Sequence, residues 1–189
     1  MINFIKRNKV LSLFILLSIL AFISGVLFYA AIDSNSKELV LNNINLLFNG
    51  KLINIKDYVF NHMFLCSSIW LLGISIIGFL IIIYLYLFKV FIFSFEFISL
   101  LVNVNLKTIL KTIVYLMPNL LSCISLFILC YYATNYSLYL FKFIFKKQSS
   151  NINIVTKRYF KIFVITLIFN ILICIIEFFV LKYIYLLKI

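Results

Sequence analysis

The sequence predicts an all-α, polytopic integral membrane bundle of about five helices, with the N-terminus cytoplasmic and the C-terminus extracytoplasmic. Three observations carry this. First, 66% of the 189 residues are hydrophobic and 12% are charged, where a soluble domain averages about half and about a quarter. Folding in water leaves a sizeable part of any domain exposed, so lipid is the natural solvent for most of this chain. Second, the apolar residues fall into runs long enough to cross a bilayer. Third, 17 Lys and Arg stand against five Asp and Glu, a net charge of +12. On a soluble chain that balance would suggest nucleic acid. Here the cations lie between apolar runs, where they set membrane orientation, and no nucleic-acid partner is expected.

The spans follow in order. Lys6, Arg7 and Lys9 precede a charge-free run at about 10–32, longer than the roughly 7–15 apolar residues of a signal peptide and sufficient to span. Residues 33–64 are polar and hold Asp33, Glu38 and Asp57. Asn35 with Glu38 resembles a capping box. Val40, Ile44, Leu47 and Phe48 then recur at helical spacing up to Asn49-Gly50, the expected stop, and Asp57 is the expected start of a second short helix. Surface-lying amphipathic helices are predicted for this loop. The second span is about 65–88. Lys89 is read as a tight turn before a short third span at 90–106, with re-entry of that segment as the alternative. The fourth span is 112–133, with Pro118 as a kink point. The helix is expected to continue through Tyr136–Phe145 into the headgroup zone. Residues 134–161 form a basic loop with six cations and no acid, and the last span is 162–181.

Five spans put the termini on opposite sides. A cytoplasmic N-terminus gives ten inside cations, counting Lys89, against seven outside. Four spans would place the densest cationic loop outside, so the charge bias favours five.

The inventory of reactive groups is sparse. Cys66, Cys123, Cys130 and Cys174 form no CxxC pair and sit in apolar runs, where Cys acts as a small hydrophobe. His62 has no second His, and no Cys at metal-ligand spacing. Glu96 and Glu177 are far apart in sequence, and no metalloprotease, phosphate-loop or nucleophile-elbow motif occurs. No catalytic, cofactor-binding or metal residue is therefore expected. Glu96 reads either as a structural or interfacial acid or as an intramembrane polar contact.

The stretch SIWLLGISIIGF, residues 68–79, holds two of the four glycines and the only tryptophan. Gly73, Ser75 and Gly78 are expected to thin one helix so that a neighbour approaches closely. Trp70 is expected to anchor that helix at the outer interface.

These residues carry a resemblance. A basic start, one span and a polar loop of about thirty residues precede Trp70-x-x-Gly73-x-Ser75-x-x-Gly78. Phe88-Lys89 and then Pro118-Asn119 follow. The order resembles the stage II sporulation protein M family of endospore-forming bacteria over essentially the whole chain. Val90, Ser94 and Phe95 stand where that family has glycines after the Phe-Lys step. The resemblance implies a non-catalytic cell-membrane scaffold at the sporulation septum, in contact with lipid. It implies that peptidoglycan hydrolases, a lytic transglycosylase and an amidase/endopeptidase, are recruited there for septal thinning and engulfment. Loop 33–64, Trp70, Gly73, Ser75, Gly78, Pro118 and Asn119 are then the candidate helix-packing or partner contacts, and homo-oligomerisation stays open. The rival reading is a permease-like subunit that works with a separate ATPase.

Overall fold

A computed structural model describes residues 9–48, 55–102, 109–146 and 152–186. Among these there are six helices and no strand: α1 (Lys9–Ala31), α2 (Ser34–Phe48), α3 (Ile55–Ile74), α4 (Gly78–Val102), α5 (Ile109–Lys146) and α6 (Ile152–Leu186). Four stretches are long and apolar enough to cross a membrane: Lys9–Ala31, Gly78–Val102, Thr112–Phe145 and Ile152–Ile176. The protein is an all-helical bundle of multi-pass membrane character. The apolar part of α3, His62–Ile74, is shorter.

α1 shows how such a helix packs. It buries Phe14, Ala21, Gly25 and Tyr29, one stripe at helical spacing. Leu13, Leu16, Leu20 and Leu27 stay exposed, as lipid-facing residues do. Gly25 is the close point. A Cβ there would lie 2.7 Å from the Phe91 carbonyl oxygen. Beside it Ser94 Oγ donates to the Phe22 carbonyl at 2.5 Å. Ser94, where the resembled pattern has glycine, is still small enough for α1 and α4 to meet.

At the α1–α2 corner the cap is Asp33, not the expected Asn35–Glu38 box. The Asp33 carboxylate accepts from the Ser36 N–H at 3.4 Å, and its carbonyl from the Lys37 N–H at 3.1 Å. Hydrogen bonding from Ser36, with a smaller pull from Lys37, holds the Asp33 carboxyl below the usual carboxylate range. Lys37 Nζ reaches back to the Ala30 carbonyl at 3.4 Å and lies 5.4 Å from the Tyr29 ring centroid. One side chain of α2 thus closes the end of α1. The expected stop at Asn49-Gly50 lies outside the described residues. α3 begins at Ile55 rather than at Asp57.

The largest departure concerns residues 65–106. The expected second span is interrupted at 75–77, and α4 runs unbroken through Lys89 to Val102. The turn therefore falls at Ser75–Ile77, and the described part of the expected third span, 90–102, is the second half of α4 and not a separate helix. Lys89 is followed by an apolar run without Pro or Gly, so nothing local ends the helix there. At 75–77 a single-turn hydrogen-bond pattern takes over: Ser75 N–H donates to Leu72 O at 3.0 Å and Gly78 N–H to Ser75 O at 3.2 Å. The expected span 112–133 is extended in both directions by α5, including the foreseen stretch 136–145. The expected span 162–181 is extended by α6, so most of the expected basic loop 134–161 is helix.

Residue pairings fix the directions. Ser18 meets Tyr86 and Phe22 meets Ser94, so α1 and α4 run parallel. Tyr86 packs on Phe127 while Phe93 clusters with Leu116, so α4 and α5 are antiparallel. His62 meets Ser122 and Ser75 meets Ser137, so α3 runs with α5 and against α4. Asn170 meets Ser125 and Tyr159 meets Tyr136, so α6 opposes α5. The long helices α1, α3, α4, α5 and α6 thus alternate in direction. The core lies where they converge, on Phe14, Cys66, Ile69, Ile82, Leu126 and Leu129. Phe14 packs 5.5 Å from Tyr86 and 6.1 Å from Phe127.

Gly78 closes the α3–α4 reversal. A Cβ at this position would sit 1.8 Å from the Leu72 carbonyl oxygen. That atom is backbone and cannot swing aside. Gly78→Ala is expected to destabilise the folded protein by about 1–3 kcal/mol, the usual cost of overpacking, and Ser75→Ala by less. Unfolding in a mixed-detergent titration checks the order.

Candidate functional site at the α3–α4 reversal

The four expected contact residues Trp70, Gly73, Ser75 and Gly78 converge, but on a hairpin turn rather than along one thin helix. Carbonyls at a helix end and in a tight turn lack the full intrahelical ladder, and where neighbouring helices cover them they take donors from the protein. α5 and α6 supply them. Ser137 Oγ donates to the Ser75 carbonyl at 2.7 Å and lies 3.2 Å from the Ile76 carbonyl. Tyr159 OH donates to the Trp70 carbonyl at 2.9 Å. Ser137 and Tyr159 are both buried. The sequence reading missed both, although small and hydroxyl-bearing side chains in apolar helices are the residues that make such bonds.

Gly73 is what lets Tyr159 in. A Cβ at Gly73 would lie 2.1 Å from the Tyr159 hydroxyl and 3.0 Å from Ala133 Cβ. The expected close approach through Gly73 is present, and its partners are α5 and α6. Tyr159 in turn stacks on Tyr136, 4.5 Å between centroids. Trp70 stacks on Phe163 at 4.7 Å and meets Phe160 edge-on at 6.0 Å. Trp70 was expected at the outer interface. The reversal at 75–77 instead puts it at the end of the bundle where α1 begins, because the chain turns back just after it.

Further along the bundle a polar layer joins α3, α5 and α6. Asn170 is its centre. Its Nδ2 donates to Ser125 Oγ at 2.6 Å and to the Thr166 carbonyl at 2.9 Å. Its Oδ1 accepts from Ser122 Oγ at 3.2 Å. Ser122 has one proton, so with that proton on Asn170 the contact at 3.3 Å to His62 Nδ1 has the imidazole as donor. His62 is thus bound into the bundle and is not a loop residue. Asn170, Ser122 and Ser125 are buried, and the one-face spacing of Ser122 with Ser125 and of Thr166 with Asn170 is the sequence signal that was passed over.

Lys89 and Glu96 complete this zone. They are two turns apart on α4, so they share a face. Lys89 is near enough to His62, Glu96 and Cys123 to act on each electrostatically. Glu96 is half-buried, and its carbonyl accepts from Ser99 Oγ at 2.8 Å. Cys66 lies near Cys130 and Cys174, all three buried. Burial withholds the thiols from chemistry that needs a thiolate.

Pro118 and Asn119 do not join the reversal. Both are buried within α5. Pro118 lines a groove of about 260 Å³ against Ile173 and Ile176 of α6. The side chain of Glu177 lies outside the described residues.

No family model, curated protein or solved structure matches this chain.

The Gly73–Tyr159 contact gives a coupled prediction. Gly73→Ala drives a methyl into the tyrosine hydroxyl and is expected to cost about 1–3 kcal/mol. Tyr159→Phe removes the obstructing oxygen together with its bond to Trp70. The double variant is therefore expected to be more stable than the sum of the two single losses. A double-mutant cycle on unfolding in mixed detergent reads this directly, and strict additivity would show that the two residues do not touch.

Proposed function

We propose that this protein is a non-catalytic membrane scaffold of the stage II sporulation protein M type. Its role would be to hold peptidoglycan hydrolases, a lytic transglycosylase and an amidase/endopeptidase, at the sporulation septum and the engulfing membrane. The observation that carries the reading is the end of the bundle formed by α2 and the start of α3. α2 is clipped to α1 through Lys37. Leu39 on α2 and Phe60 on α3 are each about two-thirds exposed, at 65% and 66%. Phe60 stacks on the equally exposed Phe64. A polar helical segment with isolated exposed anchors suits a docking face for a partner on that side. Tethering two hydrolases at one membrane site makes the second contact effectively intramolecular.

In this reading α3 also crosses the membrane, in line with the alternating helix directions. Lys89 then leaves the cytoplasmic group. The segments on the α1-start side hold Lys6, Arg7, Lys9 and the six cations of 134–161, nine in all, against seven on the other side. The charge bias of nine against seven supports an outside position for α2 and the start of α3.

The Lys89–Glu96–His62 zone favours a second reading, the membrane half of a transporter served by a separate ATPase. Ionisable groups inside a bundle mark solute or proton paths more often than not.

Affinity purification of the tagged protein from sporulating cells in mild detergent separates the two. Recovery of secreted wall hydrolases, with their loss in a Leu39→Glu/Phe60→Glu variant that still inserts, is the expected result. Hydrolases recovered equally with that variant would remove the α2–α3 face from the reading. An ATPase recovered without hydrolases would favour the transporter.

A further inference from the structure

The apolar stretch Thr112–Phe145 of α5 has 34 residues, about 51 Å of helix against a hydrocarbon core of about 30 Å. The excess lies at one end. Tyr86 packs on both Phe14 and Phe127, so those two residues share a level. Five residues back from Phe14 is Lys9, where α1 starts, and five on from Phe127 is Tyr132. From Tyr132 to Lys146 the helix rises about 21 Å more. α6 accompanies it, with Tyr136 stacked on Tyr159 and bonded to Thr156 at 2.9 Å. The end of α5 and the start of α6 therefore make a helical hairpin that reaches well past the level of Lys9, the first described residue of α1.

Its surface is of two kinds. Lys142, Lys157, Arg158 and Lys161 are exposed, and residues 134–161 contain no acid. Between these cations Phe141, Ile144, Phe145, Ile154 and Phe160 are exposed as well. At helical spacing Phe141, Ile144 and Phe145 share one side of α5 with Lys142 beside it, and on α6 Ile154 falls among Lys157, Arg158 and Lys161 with Phe160 next to them. A hairpin standing in water would leave this apolar surface uncovered. A second copy of the chain would bring like charges together. Interleaved Phe, Ile, Lys and Arg are what interfacial helices carry, apolar groups at the acyl boundary and cations at the phosphates. A hydrophobic stretch longer than its bilayer also tilts to keep contact with lipid.

We propose that this hairpin docks on an anionic leaflet surface, with Phe141, Phe145 and Ile154 at the headgroup–acyl boundary and Lys142, Lys157, Arg158 and Lys161 on lipid phosphates. The proposal requires that the bundle spans a membrane and is independent of which proteins the opposite end holds.

The test uses the full chain in phosphatidylcholine vesicles with and without phosphatidylglycerol. An environment-sensitive fluorescent amino acid at position 145 leaves the native cysteines in place. With phosphatidylglycerol the probe is expected to be quenched by lipid-borne quenchers and to lose its quenching by aqueous iodide. High salt and the K142Q/K157Q/R158Q/K161Q variant are expected to restore iodide quenching. Iodide quenching that is equal in both lipids overturns the proposal and leaves an acidic cytosolic protein as the partner. Lipid quenching that is equal in both lipids also overturns it, because burial would then not depend on lipid charge. The wild-type comparison decides even if the quadruple variant does not fold.

Discussion

A chain that reverses direction breaks its own hydrogen-bond ladder, and where the turn is covered by neighbouring helices the donors must come from the protein. The architecture depends on how this is solved at Ser75–Ile77. The exposed carbonyls of Trp70, Ser75 and Ile76 face Tyr159 and Ser137. These donors come from α5 and α6, so the α3–α4 hairpin cannot be completed without the opposing hairpin. Gly73 and Gly78 remove the side chains that would block the two closest approaches. The two hairpins thus specify one another. The Asn170 layer repeats the pattern deeper in the bundle, again joining α3 to α5 and α6. Hydrophobic burial cannot discriminate among arrangements of apolar helices in an apolar solvent. Here a small number of hydrogen bonds and close contacts makes the selection.

The all-helical, multi-pass character was legible in the sequence, because long apolar runs admit little else. α1 is the plainest case. The turns were much less legible. Lys89 in an apolar run reads as an interface marker, yet it lies inside α4, where no Pro or Gly follows to end the helix. Gly73, Ser75 and Gly78 read as a thin helix because small residues serve close packing and reversal alike. Composition does not distinguish the two, whereas the approach of Gly78 to the Leu72 carbonyl does. Moving the turn from Lys89 to Ser75–Ile77 carried Trp70 to the opposite end of the bundle. Tyr159, Ser137 and Asn170 were passed over since one polar residue in a long apolar run has no periodicity. A usable signal was present: Ser122 with Ser125, and Thr166 with Asn170, each fall on one helical face.

The two ends of the molecule are chemically unlike. At one, α2 carries an acid cap, a lysine clip and a few exposed apolar anchors on a polar background. At the other, a long helical hairpin carries cations without acids among exposed aromatic and aliphatic side chains. Isolated anchors on a polar face suit a protein partner, which supplies shape. Interleaved cations and apolar groups suit lipid, which supplies charge and a boundary without shape. A division of this kind is what a tether requires, one end that recognises and one that holds position.

Between them lies the polar layer, and its strength bears on both readings of function. Asn170 uses both amide protons and its oxygen on buried partners. An amide so fully bound leaves no capacity for a passing solute without first breaking bonds within the bundle. The layer itself is therefore a joint. A transport path would have to run on the α4 side, past Lys89 and Glu96, where the acid is half-buried. A scaffold has no such need, and for it the same two ionisable residues need only be accommodated against their neighbours. The side chains that separate the alternatives are thus two residues of α4, and the joint of α3, α5 and α6 is common to both.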